Sequence, residues 1–208
     1  MFEKDCMNDG ADEPRMRIAV FASGEGSNAE NIIRYFSREG SGGEVVMVVC
    51  NRAGAGVVER CRRLGIECKV MSREELMDGD AVADMLLSSG VNLVVLAGYL
   101  LLVPASLIRR FEGRMVNIHP SLLPRHGGKG MYGMKVHEAV VAAGDNESGI
   151  TIHLVNEEFD KGRVLFQARC EVTPTDTPAD VCRKVAELEM RHYPEVIASL
   201  GKKLYSKR

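Results

Sequence analysis

The sequence predicts a single-domain α/β protein with an open, mostly parallel twisted sheet and helices on both faces. Apolar strand-like segments alternate with helix-like segments along most of the chain, which is typical of this class. Several strand segments are continuous apolar runs, as expected for strands covered on both faces. A length of 208 residues is enough for one domain with a full core.

The strand predictions rest on short runs rich in Val, Ile, Leu and Met. The run Val-Asn-Leu-Val-Val-Leu-Ala at 91–97 is the strongest of them. No helix separates the last two predicted strands, so we expect an antiparallel edge near the C-terminal part. The predicted strands are 17–22, 44–50, 68–71, 91–97, 114–118, 149–155 and 164–172.

The helix predictions rest on apolar spacing and on end signals. Ile32, Ile33 and Phe36 have helical spacing, Gly65 ends the second helix, and Pro178 lies in the first turn of the last. We expect residues 1–15 to be a disordered leader and 16–208 to form the domain. The predicted helices are 28–39, 57–64, 73–89 with an interruption at Gly79, 104–110, 134–143 and 177 to about 200.

Charge and composition exclude several classes of protein. The formal net charge of −2 offers no basic field for nucleic acid or for an anionic membrane. The sequence has no apolar run long enough to span a bilayer and no h-region of a secretory signal, so we expect a cytoplasmic protein. The six cysteines form no C-x-x-C pair, which favours free thiols over a metal site or disulfide framework, although spacing leaves a Cys61–Cys68 pair open.

The sharpest motif is Asn117-Ile118-His119-Pro120-Ser121, at the end of a predicted strand. Asn117 and His119 are two residues apart and so leave the strand on the same face. Ligands bind outside the carboxyl ends of parallel strands. An amide donor beside an imidazole can stabilise an oxyanion and move a proton. A lone histidine here would more often be structural, but the pair and its position favour catalysis.

The first strand leads into a loop that contains Gly24, Gly26, Ser27 and Asn28. Its glycines allow a sharp turn, and Asn28 can cap the following helix. Free N–H groups at a helix N-terminus form an anion site. The third glycine of a dinucleotide fingerprint is missing, so a monophosphate is the better ligand, and a tight turn without a ligand is equally compatible.

The remaining polar residues allow both a structural and a functional interpretation. His153 lies on a predicted strand, where a satisfied core histidine is the simpler interpretation, and Asp160 acts only if the fold brings it to His119. The glycine-rich loop 127–133, with His126 and Lys129, can be a closing loop for an anionic substrate or a solvated loop. The run containing Arg60 is most simply a solvated helix face.

Five segments together resemble the phosphoribosylglycinamide formyltransferases, folate-dependent enzymes of purine (IMP) biosynthesis. The resemblance extends from Met16 to about Leu200 and implies a Rossmann-like formyltransferase fold. It also implies formyl transfer from 10-formyltetrahydrofolate to the amine of glycinamide ribonucleotide, without a metal. The segments are 21–28, 94–99, 116–124, 148–153 and 159–162.

The resemblance assigns roles residue by residue. The catalytic residues would be Asn117, His119 and Asp160. The binding and supporting residues follow in the same way: Gly26, Ser27 and Asn28 for the phosphate, Glu189 for the ribose, Arg73, Tyr99, Leu100, Leu101, Leu102, Val103 and Asn117 for the folate, and His153, Ser121 and Pro124 as support. The Leu123–Pro124 bond is a candidate cis peptide.

Departures from the family pattern affect the folate side. The segment after Tyr99 lacks an arginine that some members have, and the loop 127–133 is longer and richer in glycine. The alternatives are a 10-formyltetrahydrofolate hydrolase, a formyltransferase acting on another amine, and a non-catalytic phosphate-binding module. Partners would be small molecules, without nucleic acid or membrane, and the chain would be a monomer or homodimer. A tRNA substrate would need a basic surface, which this composition does not offer.

Overall fold

A computed structural model of the chain describes residues 16–205 and confirms the predicted fold class. Its seven-stranded sheet has the order β3-β2-β1-β4-β5-β6-β7. Neighbours from β3 through β5 are parallel, whereas β6 pairs antiparallel with both β5 and β7. The strands are β1 (Met16–Ala22), β2 (Gly43–Cys50), β3 (Glu67–Val70), β4 (Leu93–Leu96), β5 (Met115–His119), β6 (Glu147–Leu154) and β7 (Val164–Glu171). The predicted leader 1–15 lies outside the described residues.

Helices cover both faces of the sheet, as predicted. One core cluster contains buried residues of α1, α2, α6 and α7, and the other contains those of α3, α4 and α5. The helices are α1 (Ser27–Phe36), α2 (Gly56–Leu64), α3 (Arg73–Met77), α4 (Gly79–Ser88), α5 (Ala105–Arg110), α6 (Met134–Ala142) and α7 (Pro178–Tyr205). Within residues 16–205, no helix is long and apolar enough to cross a membrane.

The sheet divides between β1 and β4. The chain builds β2 and β3 on one side of β1 and then crosses to build β4 and β5 on the other. The loops after β1 and β4 therefore lie where the strand order reverses, and open α/β sheets bind ligands outside the carboxyl ends of the strands at such a point. Ser23 joins the two loops: its N–H donates to Gly98 O at 3.1 Å, and its Oγ accepts from Leu100 N–H at 2.9 Å.

Element boundaries differ from the predictions at several ends. The first helix ends at Phe36, three residues earlier than expected, and the last continues to Tyr205 through the internal Pro194. The interruption predicted at Gly79 within the helical segment 73–89 is confirmed: α3 ends at Met77, and the Asp78 carboxylate accepts from Ala81 N–H and starts α4. Among the described residues, Cys61 and Cys68 are free thiols and form no disulfide.

Candidate active site

The end of β5 places Asn117 beside a histidine of the antiparallel neighbour. Asn117 is opposite His153 in the β5–β6 register, and its Nδ2 donates to His153 Nε2 at 3.1 Å. The other ring nitrogen, Nδ1, donates to Leu154 O at 2.9 Å. Burial lowers the pKa of His153, which favours the neutral ring that this arrangement needs. His153 thus acts as an acceptor and orients the Asn117 amide.

His119 is buried at the same strand end, with 4% of its surface exposed. Its Nε2 lies 2.8 Å from His126 O. A carbonyl oxygen only accepts, so Nε2 carries a proton. The other nitrogen, Nδ1, lies 3.6 Å from Asp160 Oδ2. His119 therefore directs Nδ1 toward the carboxylate.

Asp160 lies where the loop after β6 returns to the strand ends. Its backbone is left-handed, with φ of 55°. Its Oδ2 accepts from Gly128 N–H at 2.8 Å, and its Oδ1 is 3.7 Å from His153 Nε2. A Cβ at Gly162 would lie 1.6 Å from Leu154 O, so this loop needs a glycine to pass the end of β6. The fold thus gathers Asn117, His119 and Asp160, as the resemblance implied.

The loop between β1 and α1 leaves a helix N-terminus open. Gly26 is left-handed, with φ of 77°, and a Cβ there would overlap Val57 of α2. Ser27 is the first residue of α1, and no side chain caps the helix, so the first-turn N–H groups have no intrahelical partner. The prediction that Asn28 caps this helix is wrong. Gly26 occupies the cap position, and the Asn28 side chain extends to α7 instead.

Asn28 and Glu189, predicted to bind different parts of one substrate, are in contact. The Asn28 Nδ2 donates to Glu189 Oε2 at 2.8 Å. Burial raises the pKa of Glu189. The Asn28 Oδ1 is buried without a hydrogen-bond partner among the described residues. The buried carboxyl group and the unpartnered amide oxygen together form a polar site at the start of α1 that can accept hydrogen bonds from hydroxyl or N–H donors.

The segment after β4 forms an apolar wall that contacts the loop after β1 through Ser23. The Tyr99 ring meets the edge of Phe21 at a centroid distance of 5.3 Å, and burial raises the pKa of Tyr99 to about 12. Leu100 and Leu102 are half exposed, whereas Val103 is buried and Leu101 partly buried.

Arg73 is an exposed residue at the start of α3. No contact described for residues 16–205 joins it to the segment that contains Tyr99. Its predicted role in folate binding therefore has no geometric support in this structure and remains a prediction.

The turn after β5 is held by side chains that support the site. Ser121 Oγ donates to Arg125 O at 2.6 Å, and the Leu123–Pro124 bond is cis, as expected from the resemblance. Thr151 on β6 donates to Ser121 O at 2.7 Å and accepts from Leu123 N–H at 2.9 Å. The sequence reasoning missed Thr151, although its alternation on β6 with His153 could have indicated it.

Arg60 is a second residue that the sequence reasoning misjudged. It is not part of a merely solvated face, because its Nε donates to Glu25 O at 2.7 Å and its guanidinium pairs with Glu30. The Arg60 hydrogen bond is the largest cause that lowers the pKa of Glu30, to about 2. Arg60 thus joins α2 to the loop that precedes α1. Alternating charge along α2 gave no signal for this contact.

Known proteins with similar sequences belong to one enzyme family. The family model described as formyl transferase matches residues 16–197. The chain belongs to the formyl transferase family. Among curated members, phosphoribosylglycinamide formyltransferase of Haemophilus influenzae is 36% identical over 87% of this chain and 85% of its own length. The chloroplastic phosphoribosylglycinamide formyltransferase of Arabidopsis thaliana is 43% identical over 90% of this chain. The chain spans 66% of that longer relative, which is just under two thirds.

A solved structure of the same family has the same fold. Glycinamide ribonucleotide transformylase 1 from Symbiobacterium toebii superposes with a TM-score of 0.83 at 34% identity. The match covers 91% of this chain and 89% of the other. The formyl transferase fold therefore extends over nearly all the described residues, and the antiparallel edge formed by β6 and β7 belongs to it.

Proposed function

We propose that the chain transfers the formyl group of 10-formyltetrahydrofolate to the amine of N1-(5-phospho-D-ribosyl)glycinamide, giving the N2-formyl product and tetrahydrofolate. The observation that carries the proposal is the convergence of Asn117, His119 and Asp160 next to an open phosphate loop. The names of the relatives from Haemophilus and Arabidopsis support this acceptor. The apolar wall at Tyr99 fits a planar pterin.

The reaction begins when the substrate amine attacks the formyl carbon and the carbonyl oxygen becomes an oxyanion. The Asn117 Nδ2 has two hydrogens, and His153 takes one of them. The second is available to the oxyanion, as is Nδ1–H of His119 when the ring is protonated. One such donor typically contributes about 2.7–4 kcal/mol to the barrier reduction.

The reaction then needs one proton to move from the attacking amine to the departing N10 of the folate. His119 Nδ1 and Asp160 Oδ2 are 3.6 Å apart, close enough to share a proton or a bridging water as the tetrahedral intermediate collapses. The C–N bond to N10 breaks as N10 gains the proton, and the acceptor nitrogen loses one.

The acceptor would be held at two points. The N-terminus of α1, at Gly26, Ser27 and Asn28, would bind its phosphate. The Glu189 carboxylate would accept hydrogen bonds from the ribose hydroxyls. Binding of both the phosphate and the ribose would direct the amine toward the carboxyl ends of the strands. Such orientation lowers the barrier by up to about 7–11 kcal/mol in well-positioned systems.

The roles of metal, compartment and assembly complete the proposal. Among residues 16–205, no group of three or more His, Cys, Asp or Glu side chains is arranged for a metal ion, and the proposed mechanism uses none. The described cysteines are free thiols, which fits a reducing compartment such as the cytoplasm. We propose a monomer or homodimer that acts on small molecules only.

The test is the folate absorbance change during turnover of 10-formyltetrahydrofolate, with and without glycinamide ribonucleotide. We expect turnover that requires the amine and that collapses in His119→Ala. Formate release without the amine would identify a hydrolase. Tight phosphate-ligand binding with no turnover would identify a binding module. Either result would reject the transferase.

A further inference from the structure

The turn after Pro124 contacts both catalytic groups through its backbone. The His126 carbonyl accepts from His119 Nε2 at 2.8 Å. Two residues later, the Gly128 N–H donates to Asp160 Oδ2 at 2.8 Å. The position of this short piece of main chain therefore determines which nitrogen of His119 holds its proton and where the Asp160 carboxylate lies.

The backbone at His126 has an unusual conformation that its side chain secures. Its φ is 52°, a left-handed value that is uncommon outside glycine. Its ring Nε2 lies 2.7 Å from Asp145 Oδ2, after the end of α6. Both side chains are largely buried, with 17% and 19% of their surfaces exposed. The ring thus holds the turn to the segment that follows α6.

We infer that His126 is a positioning residue: its ring, held by Asp145, keeps its own carbonyl against His119 Nε2 so that His119 Nδ1 faces Asp160. The inference rests on the proposed function for its effect on rate. The geometric part concerns the free protein, because the contacts exist without substrate.

Crowding at the next residue leaves little freedom for another arrangement. A Cβ at Gly127 would lie 2.3 Å from the Leu123 side chain and 3.6 Å from the Asp160 Cβ. The turn therefore packs close to Asp160, and a larger residue at Gly127 would require the Leu123 side chain to move. A shift of this turn would move both the carbonyl and the amide that the two catalytic side chains use.

The first experiment needs no variant. Imidazole ¹⁵N–¹H correlation spectra of the free wild-type protein, at a pH where His119 is neutral, report which nitrogen carries the proton. We expect the Nε2–H form to dominate. A dominant Nδ1–H form would overturn the inference directly, whatever the protein catalyses.

The second experiment uses His126→Asn and Asp145→Ala. Asparagine tolerates a left-handed backbone but is too short to reach Asp145, so it removes the ring contact with little backbone conflict. Asp145→Ala removes the same contact from the other side. We expect both variants to populate the two His119 tautomers and to lower kcat about tenfold, with KM for both substrates within about twofold.

The matched control is Arg169→Gln. Arg169 pairs at 2.9 Å with Glu147, with which Arg125 of the turn also pairs, and no contact described for residues 16–205 joins the Arg169 side chain to Asp145, His126 or His119. We expect a wild-type tautomer ratio and kcat. A fall in kcat without a tautomer change in the His126 and Asp145 variants would overturn the positioning role. If the wild type did not formylate the amine, the proposed function would fail, while the tautomer result would still decide this inference.

Discussion

Asn117 can turn either its oxygen or its nitrogen toward a substrate, and His153 decides which. The ring accepts at Nε2 because Nδ1 already donates to Leu154 O. Burial disfavours the second proton and lowers the pKa of His153. The donor that the proposed mechanism needs at Asn117 is therefore present before any substrate binds.

Replacing Asp160 with Asn keeps a side-chain acceptor for Gly128 N–H but removes the charge that faces His119. We expect kcat to fall by about 100-fold or more, in the range for lost acid–base assistance, with little change in KM. Glu158→Gln is the control, because Glu158 lies in the same loop but its side chain pairs, among the residues that the structure describes, only with exposed Lys161. Steady-state kinetics with an unchanged kcat/KM for Asp160→Asn would remove this residue from the mechanism.

The proposed role of Glu189 predicts a pH-dependent affinity for the acceptor. Burial raises the pKa of Glu189 above its ordinary 4.5, so its carboxylate protonates earlier than usual as pH falls. We expect KM for glycinamide ribonucleotide to rise as pH decreases toward that raised value. Glu189→Gln should have a higher KM that does not depend on pH in this range. A wild-type pH profile that persists in the variant would assign it to another group.

Neighbouring positions on β6 should respond in opposite ways to alanine. A Cβ at Gly149 would lie 2.0 Å from Ala168 O of β7, so Gly149→Ala should lower the free energy of unfolding by about 1–3 kcal/mol. Ser148 has a buried Oγ with no hydrogen-bond partner among residues 16–205. Ser148→Ala should leave stability unchanged or raise it by up to about 1 kcal/mol. Urea unfolding of both variants checks this pair, and equal losses would contradict the β6–β7 packing.

The contact of α2 with the loop between β1 and α1, which we propose binds the phosphate, predicts a binding defect. Arg60→Met removes the donor to Glu25 O and the partner of Glu30. We expect KM for glycinamide ribonucleotide to rise several-fold, about the effect of one hydrogen bond, with kcat nearly unchanged. Arg62→Met is the matched control, since Arg62 lies on the same helix and, within residues 16–205, pairs only with exposed Glu59. Similar KM values in the two variants would show that Arg60 does not brace the loop.

Order and type of the elements could be predicted because they follow from apolar periodicity and end signals. The Asn117–His119 pair could be placed on one face because a strand alternates by two. The role of Asn28 could not, since its partner Glu189 is 161 residues away and only the fold brings them together. Likewise, the contacts of His126 and Arg60 depend on a left-handed turn and on helix placement that no local pattern encodes.

The stability of the whole molecule should decrease at mildly acidic pH. Burial lowers the pKa values of His137 and His153 below 6.5. The unfolded chain therefore binds more protons than the native state as pH falls from 6.5 toward the lowered values, and stability is lost there. Glu189 has a raised pKa and acts in the opposite sense, so it offsets part of the loss at the acidic end.

We expect a lower urea midpoint at pH 5.5 than at pH 7.5, and a smaller difference in His137→Gln, which cannot take up a proton. Measurements at constant ionic strength isolate the effect. Equal midpoints for the wild type at the two pH values would show that the buried rings do not dominate the pH dependence.

Tyr193 of α7 connects the last helix to two strand ends that are far from it in sequence. Its hydroxyl lies 2.8 Å from Leu96 O and 3.3 Å from Val116 O, across the ends of β4 and β5. Glu189 is four residues earlier, one turn along the same helix. The helix therefore fixes the distance between the strand ends and the carboxyl group. Under the proposed roles, a change on α7 that moves Glu189 would also move the Tyr193 contact with β4 and β5, so we expect acceptor choice and folate fit to evolve together.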